Sequence, residues 1–206
     1  EFDNISWTME ARLGSLDAVY AGAFTDRTTE QAIDYTDYLF VGQYLPYYIC
    51  EGSVSYPGSA DPSGVCQAPN MFVNSTSTLE VWSHELRIST PSENQFSLTA
   101  GIFASGTEST ELNDFTYPGS TADGVAFGPW VANYPQMTGY YSDPGPFPSG
   151  VIFRNDVKRT DDQMGIFGEL TWNMSDEFAL TVGIRHYEIE VDLEGSANTS
   201  FCNSGA

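Results

Sequence analysis

Positive charge is scarce in this sequence: seven Lys and Arg stand against 28 Asp and Glu, a formal charge of −21. Phosphate groups are gripped by Lys and Arg, so nucleic acid is excluded as a partner class. Docking on anionic lipid headgroups is disfavoured for the same reason. Long apolar runs are also missing. No stretch of about 18 apolar residues occurs, which excludes a transmembrane helix and says nothing against membrane-crossing strands. No convincing helical periodicity occurs either. His84 and His186 have no Cys or carboxylate at metal-ligand spacing, so no metal site is expected. The segments "GTESTELND" and "RTDDQ" lack the spacing of a calcium loop and read as solvated acids. No G-x-S-x-G elbow or other catalytic constellation occurs, and neither an enzyme nor a cofactor is expected. The opening residues "EFDNISWTME" lack the basic start and apolar centre of a signal peptide. They already alternate like a strand, and the expectation is a piece of a longer protein.

What is abundant is Tyr, Phe, Trp, Thr, Ser and Gly, which favours strands and turns. At 206 residues the chain is long enough for one domain. Three hairpins recur. The first predicted pair is 5–13 and 18–28, joined by Gly14-Ser15-Leu16-Asp17. The second is 79–90 and 96–106, with a turn around "PSENQ". The third is 162–173 and 178–192, joined by Met174-Ser175-Asp176-Glu177. Between the hairpins lie 29–78 and 107–160, long segments crowded with Gly, Pro, Ser, Asn and Tyr. Structureless connections of that length are uncommon in a compact domain. They fit an antiparallel transmembrane β-barrel, whose short periplasmic turns alternate with long extracellular loops.

Alternation by twos supports a half-buried wall. Ile5, Trp7, Met9, Ala11 and Leu13 share one face of the first strand; Trp82, Leu86 and Ile88 share one face of the third. Glu10, Arg12, Glu85, Arg87, Glu169 and Arg185 all fall on the opposite faces. An Arg facing lipid at mid-depth costs about 2–4 kcal/mol, and in a wet lumen it costs little. Trp7, Trp82, Phe96, Trp172 and Phe178 lie near strand ends on the apolar faces, where an aromatic girdle sits. His84 shares that face near its outer end. The second strand reads as mixed on both faces.

"WSHELRIST" with its turn and "FSLTAGIFASG" resembles a strand pair of TonB-dependent outer-membrane receptors, S-Q-E-L-R-L-x-S followed by W-x-x-G-x-F. "GIFGELTWNMSDEFALTVGIRHYEIEVD" is similar to a later hairpin of that family, an aromatic-Asn pair followed by L-T-x-G-x-R-Y. The likeness covers the three hairpins, and His84 stands where the family has Gln. It implies an all-β barrel segment of about six strands in a bacterial outer membrane. By that likeness the whole protein is a receptor importing a scarce nutrient: siderophore-bound iron, a vitamin-like cofactor or an oligosaccharide. Its partners are then outer-membrane lipid, the nutrient, and TonB acting through a plug domain that this chain lacks. Six strands do not close a barrel of the roughly 22 strands of such transporters.

Cys50 and Cys66 flank a Gly-, Pro- and Ser-rich segment that a disulfide would close, which points to an oxidising compartment; Cys202 has no evident partner. "YTDYLFVGQYLPYYIC" and "GPWVANYPQMTGYYSDPGPFPSG" concentrate rings suited to stacking on sugars or on an aromatic siderophore. The ligand candidates are Tyr44, Tyr47, Tyr48, Trp130, Tyr134, Tyr140 and Tyr141, with packing of the segments against one another as the competing role. Two other classes stay open. A secreted β-sandwich that binds glycans or mediates adhesion explains the acidity and the rings, but not the alternation of short and long connections. A passive porin shares the barrel physics.

Overall fold

The computed structural model describes residues 1–37, 50–52, 63–66, 68, 70–118, 139–141, 148 and 150–199. The described residues form eight strands: β1 (Phe2–Leu13), β2 (Leu16–Asp34), β3 (Cys50–Gly52), β4 (Ser63–Cys66), β5 (Phe72–Ser89), β6 (Phe96–Thr116), β7 (Val151–Asn173) and β8 (Ala179–Thr199). Six make one antiparallel sheet in the order β1-β2-β5-β6-β7-β8, and β3 pairs with β4 in a separate ladder. β1 and β8 are each paired on one flank only in this sheet. Among the described residues no helix is long and apolar enough to cross a membrane, a statement that does not bear on strands.

The hairpin framework agrees with the sequence reading, while the strand lengths do not. β6 extends to Thr116 rather than ending near 106, and β7 begins at Val151 rather than near 162. β2 runs on to Asp34, β5 starts at Phe72 and β8 reaches Thr199. Much of 29–78 and 107–160 is therefore strand. "VNSTST" and "TESTELNDFT" are mostly polar, and their few apolar residues, Val73, Leu112 and Phe115, are too sparse to make an apolar alternation that would betray a strand.

The first turn is shorter than expected. Leu13 pairs directly with Leu16, leaving only Gly14-Ser15 between strands. Gly14 has φ 68° and no non-glycine residue among those described is left-handed, so this is a two-residue turn with its glycine first, the arrangement whose twist matches the strands. In the third hairpin, Met174 and Ser175 N–H groups both donate to the Phe178 carbonyl, and Ser175 Oγ accepts from the Glu177 and Phe178 N–H groups. In the second, Asn94 N–H closes on the Pro91 carbonyl. Asn173 locks that turn from the next strand: its Nδ2 donates to the carbonyls of Ser92 (3.1 Å) and Asn94 (2.7 Å). Asn173→Ala removes both bonds, and we expect a loss of about 1–2 kcal/mol, read as a lower urea midpoint with an unchanged slope.

The chain divides into two compact units. The first comprises 1–28, 78–109 and 159–193; the second comprises 29–77, 110–158 and 194–206. The second has a small core, with Met71, Val73, Tyr117, Val151, Ile152 and Val157 buried. Tyr35, Phe115 and Phe153 extend it, their rings meeting edge to face at 5.4 and 5.2 Å. The first unit has no such core. Its only buried residues are Gly22, Gly106 and Gly165.

Candidate functional site

The six-stranded portion of the first unit has its apolar side outward. On β6, Phe96, Leu98 and Ile102 are exposed, Ile102 at 56%, while the intervening Ser97, Thr99, Gly101 and Phe103 are half-buried. β7 repeats this, with Met164, Ile166, Leu170 and Trp172 exposed beside half-buried Gln163, Phe167, Thr171 and Asn173. Water-soluble sheets do the reverse. β2, ambiguous from sequence, is resolved by its pairing: Leu16, Ala18, Tyr20, Gly22 and Phe24 stand opposite Leu13, Ala11, Met9, Trp7 and Ile5. It therefore adds to the same apolar side.

Aromatic side chains gather at two levels of this side. Around His84 lie Trp7 (ring centroids 5.9 Å apart), Trp82 (5.6 Å) and a parallel Tyr20 (5.9 Å). The Tyr20 hydroxyl and His84 Nδ1 are 2.9 Å apart, so the imidazole finds a polar partner within an apolar surface. This gives His84 a structural role that its sequence position did not disclose. Gly22 and Gly106 leave room for the two indoles, since a Cβ at either would overlap Trp7 or Trp82. Near the turns, Phe96 stacks on Trp172 at 5.9 Å.

Each strand of this side ends its apolar run on a carboxylate: Asp3, Asp26, Glu80, Glu108, Asp162 and Glu188. Asp3 and Asp26 are direct partners. Three further registers follow from backbone and side-chain contacts. The Thr90-to-Leu98 bond, with Trp82 against Gly106, sets β5 on β6. The Asn173-to-Gln95 bond, with Asp162 against Gly106, sets β6 on β7. Thr171 facing Thr181, with Tyr187 against Gly165, sets β7 on β8. Continued by two residues beyond Trp82 and Gly106, the first of these registers places Glu80 opposite Glu108. The first carboxylate then steps back by about two residues per strand toward Asp162 and Glu188. From Glu80 to Glu188 the border moves back four residues over three strand spacings, so at about 3.3 Å per residue and 4.8 Å between strands it slants by roughly 40–45° across the strands.

The opposite side carries all the arginines of the unit: Arg12, Arg27, Arg87, Arg159 and Arg185. Arg12 pairs with Asp17 (3.0 Å), Arg87 lies 3.7 Å from Glu85, and Arg185 sits over the Phe167 ring at 5.6 Å. The sequence placed Arg12, Arg87 and Arg185 there correctly.

In the second unit, Asp114 and Arg154 form a bidentate pair, Nε to Oδ1 at 2.5 Å and Nη2 to Oδ2 at 2.6 Å, both largely buried. Donating to the Asp114 carboxylate raises the Arg154 pKa, with burial opposing. Burial alone pushes the Tyr117 phenol up to about 12. The side chain and backbone of Thr36 hold Asp34 below the usual carboxylate range. Two predicted ligand residues are placed here. Tyr141 donates its N–H to both carboxylate oxygens of the 1%-exposed Asp156 (3.0 and 3.1 Å) and its hydroxyl to Thr110 Oγ1 (3.0 Å). The residue remains 59% exposed. Tyr140 meets Tyr141 edge-on at 4.8 Å, under Lys158 Nζ at 5.3 Å. Both the main chain and the hydroxyl of Tyr141 thus serve packing. Tyr44, Tyr47, Tyr48, Trp130 and Tyr134 lie outside the described residues. The sequence reading missed Asp114, Arg154 and Asp156, which only the pairing of β6 with β7 brings together.

No protein family, curated protein or solved structure matches this chain.

Cys50 and Cys66 are Cα partners in the β3–β4 ladder. Directly opposed residues of an antiparallel pair have Cα atoms about 4.5–5.5 Å apart, inside the range a disulfide spans. Under non-reducing conditions we expect a peptide pair linked through Cys50 and Cys66 in digest mass spectra, with reduction adding two hydrogens. A chain that alkylates fully at both cysteines without reductant contradicts this. Among the described residues no group of His, Cys, Asp or Glu is placed to hold a metal ion.

Proposed function

We propose that the first unit is a section of bilayer-spanning barrel wall, and that the protein is part of an outer-membrane receptor for a scarce nutrient. The observation carrying this is the inverted sheet: its apolar side is exposed, its arginines are on the other side, and no core lies beneath it. Such a sheet is not stable in water alone, because nothing offsets the loss of conformational freedom. Hydrocarbon supplies the missing cover. Dimensions agree. From Phe96 to Gly106 is about ten residues, or about 34 Å of strand; inclined at roughly 45° this spans about 25 Å, the height of an outer-membrane apolar band. The slanted acidic border is close to the inclination of about 35–45° that barrel strands adopt. Two aromatic levels bracket the band as interfacial girdles do.

The nutrient is bound by the aromatic segments, among which Tyr140 and Tyr141 are the described candidates, and passes along the arginine-bearing side. Further strands complete the barrel and a plug domain couples it to TonB. Deleting the gene in its host tests the reading: uptake of a large chelate or glycan should fall, and uptake by the intact host should stop when an uncoupler collapses the inner-membrane gradient. Uptake indifferent to the uncoupler indicates a passive porin. A chain that stays in the aqueous phase, neither floating with vesicles nor resisting alkaline extraction, removes the wall reading altogether.

A further inference from the structure

A trough of about 470 Å³ crosses the apolar side of the first unit, within the range of small-molecule clefts. Its floor is Leu86, Ile102, Ala104, Met164 and Ile166. Tyr20 and His84 close one end, His186 and Glu188 the other. The strand registers explain it. Leu86, Ile102, Ile166 and His186 fall in one transverse row, and His84, Ala104, Met164 and Glu188 in the next. Ala104 is the short member between the His84 ring and Met164, so the surface dips there.

We propose that this trough holds one lipid molecule whose headgroup carries an amine, an inference that rests on the bilayer-wall reading. An apolar floor takes an acyl chain. The trough meets the acidic border, where Glu188 lines it and Asp162 and Glu190 stand nearby on the same side. Those carboxylates repel a purely anionic headgroup and attract an ammonium. Tyr20, His84 and His186 supply hydrogen-bonding groups for ester or phosphate oxygens. A second copy of this chain is the poorer occupant, because a two-fold contact sets the same carboxylate-rich border against itself.

Tryptophan quenching tests this, since Trp7 and Trp82 flank His84 at the trough's edge. The 206-residue chain in phosphatidylcholine vesicles is doped with brominated-chain phosphatidylethanolamine or, separately, brominated-chain phosphatidylglycerol. We expect the amine lipid to quench about threefold more strongly at low mole fraction, the factor that one exposed charge contact supplies. Glu188→Gln should shrink that ratio and Ala104→Phe, which fills the trough, should abolish it; a ratio unchanged by both overturns the proposal. Equal quenching by the two lipids also overturns it while leaving the wall reading intact. No quenching by either removes both. Cross-linked dimers in the same vesicles, with quenching absent at Trp7 and Trp82, assign the trough to a second copy instead.

Discussion

Ile102→Arg should destabilise the vesicle-bound protein by about 2–4 kcal/mol, whereas Thr99→Arg on the same strand should stay within about 0.5 kcal/mol. Ile102 lies mid-way along the apolar run of β6 and is open on its outward side, while Thr99 belongs to the face that carries the arginines. Only what covers each face distinguishes them. Depth supplies a second contrast. On β8, Val182→Arg should approach the full cost and His186→Arg, at the border, should cost no more than about 1 kcal/mol. Urea unfolding from vesicles reads all four. If Ile102→Arg proves as mild as Thr99→Arg, hydrocarbon does not lie against this sheet.

Arg154→Met should cost the second unit about 2–4 kcal/mol. The substitution keeps the aliphatic volume but leaves Asp114 without its fork of two short bonds, and Asp156 is a second acid that Arg154 compensates. Breaking a fully buried pair costs about 3–5 kcal/mol, and the residual exposure here scales that down. Hydrogen exchange should speed up in 110–118 and 150–158. Pairing it with Asp114→Leu should restore part of the loss, because the stranded charge goes with its partner. If the single and double variants are equally unstable, the damage is to packing and the ion pair is incidental.

The three hairpins, the two faces and the positions of the aromatic residues were legible because each rests on local alternation. Ile5 to Leu13 and Met164 to Trp172 show it in any reading by twos. The strand extensions were not legible. Around Glu108–Thr116 and Val151–Arg159, hydrophilic and mixed residues occupy both faces, so nothing local separates a long ladder from a loop. The sequence puts His84 near the outer end of the apolar face, but its embrace by Tyr20, Trp7 and Trp82 joins three strands and depends on registers that no single segment encodes. Asp114 and Arg154 lie 40 positions apart and meet for the same reason. The turn at Gly14-Ser15 was overestimated because Leu16 and Asp17 read as turn residues, and only their pairing with Leu13 and Arg12 assigns them to β2.

β1 and β8 close the sheet on either side with backbone groups that have no neighbouring ladder within it. Such rims act as templates, and β1 does little to blunt its rim: it contains no proline or lysine, its charges are confined to Asp3, Glu10 and Arg12, and every residue in it is exposed. Prepared by itself in water, the polypeptide should therefore seed its own ordered precipitation, adding copies rim to rim into ribbons that bind amyloid dyes. Detergent added before dilution out of denaturant, rather than afterwards, decides whether any usable material is recovered.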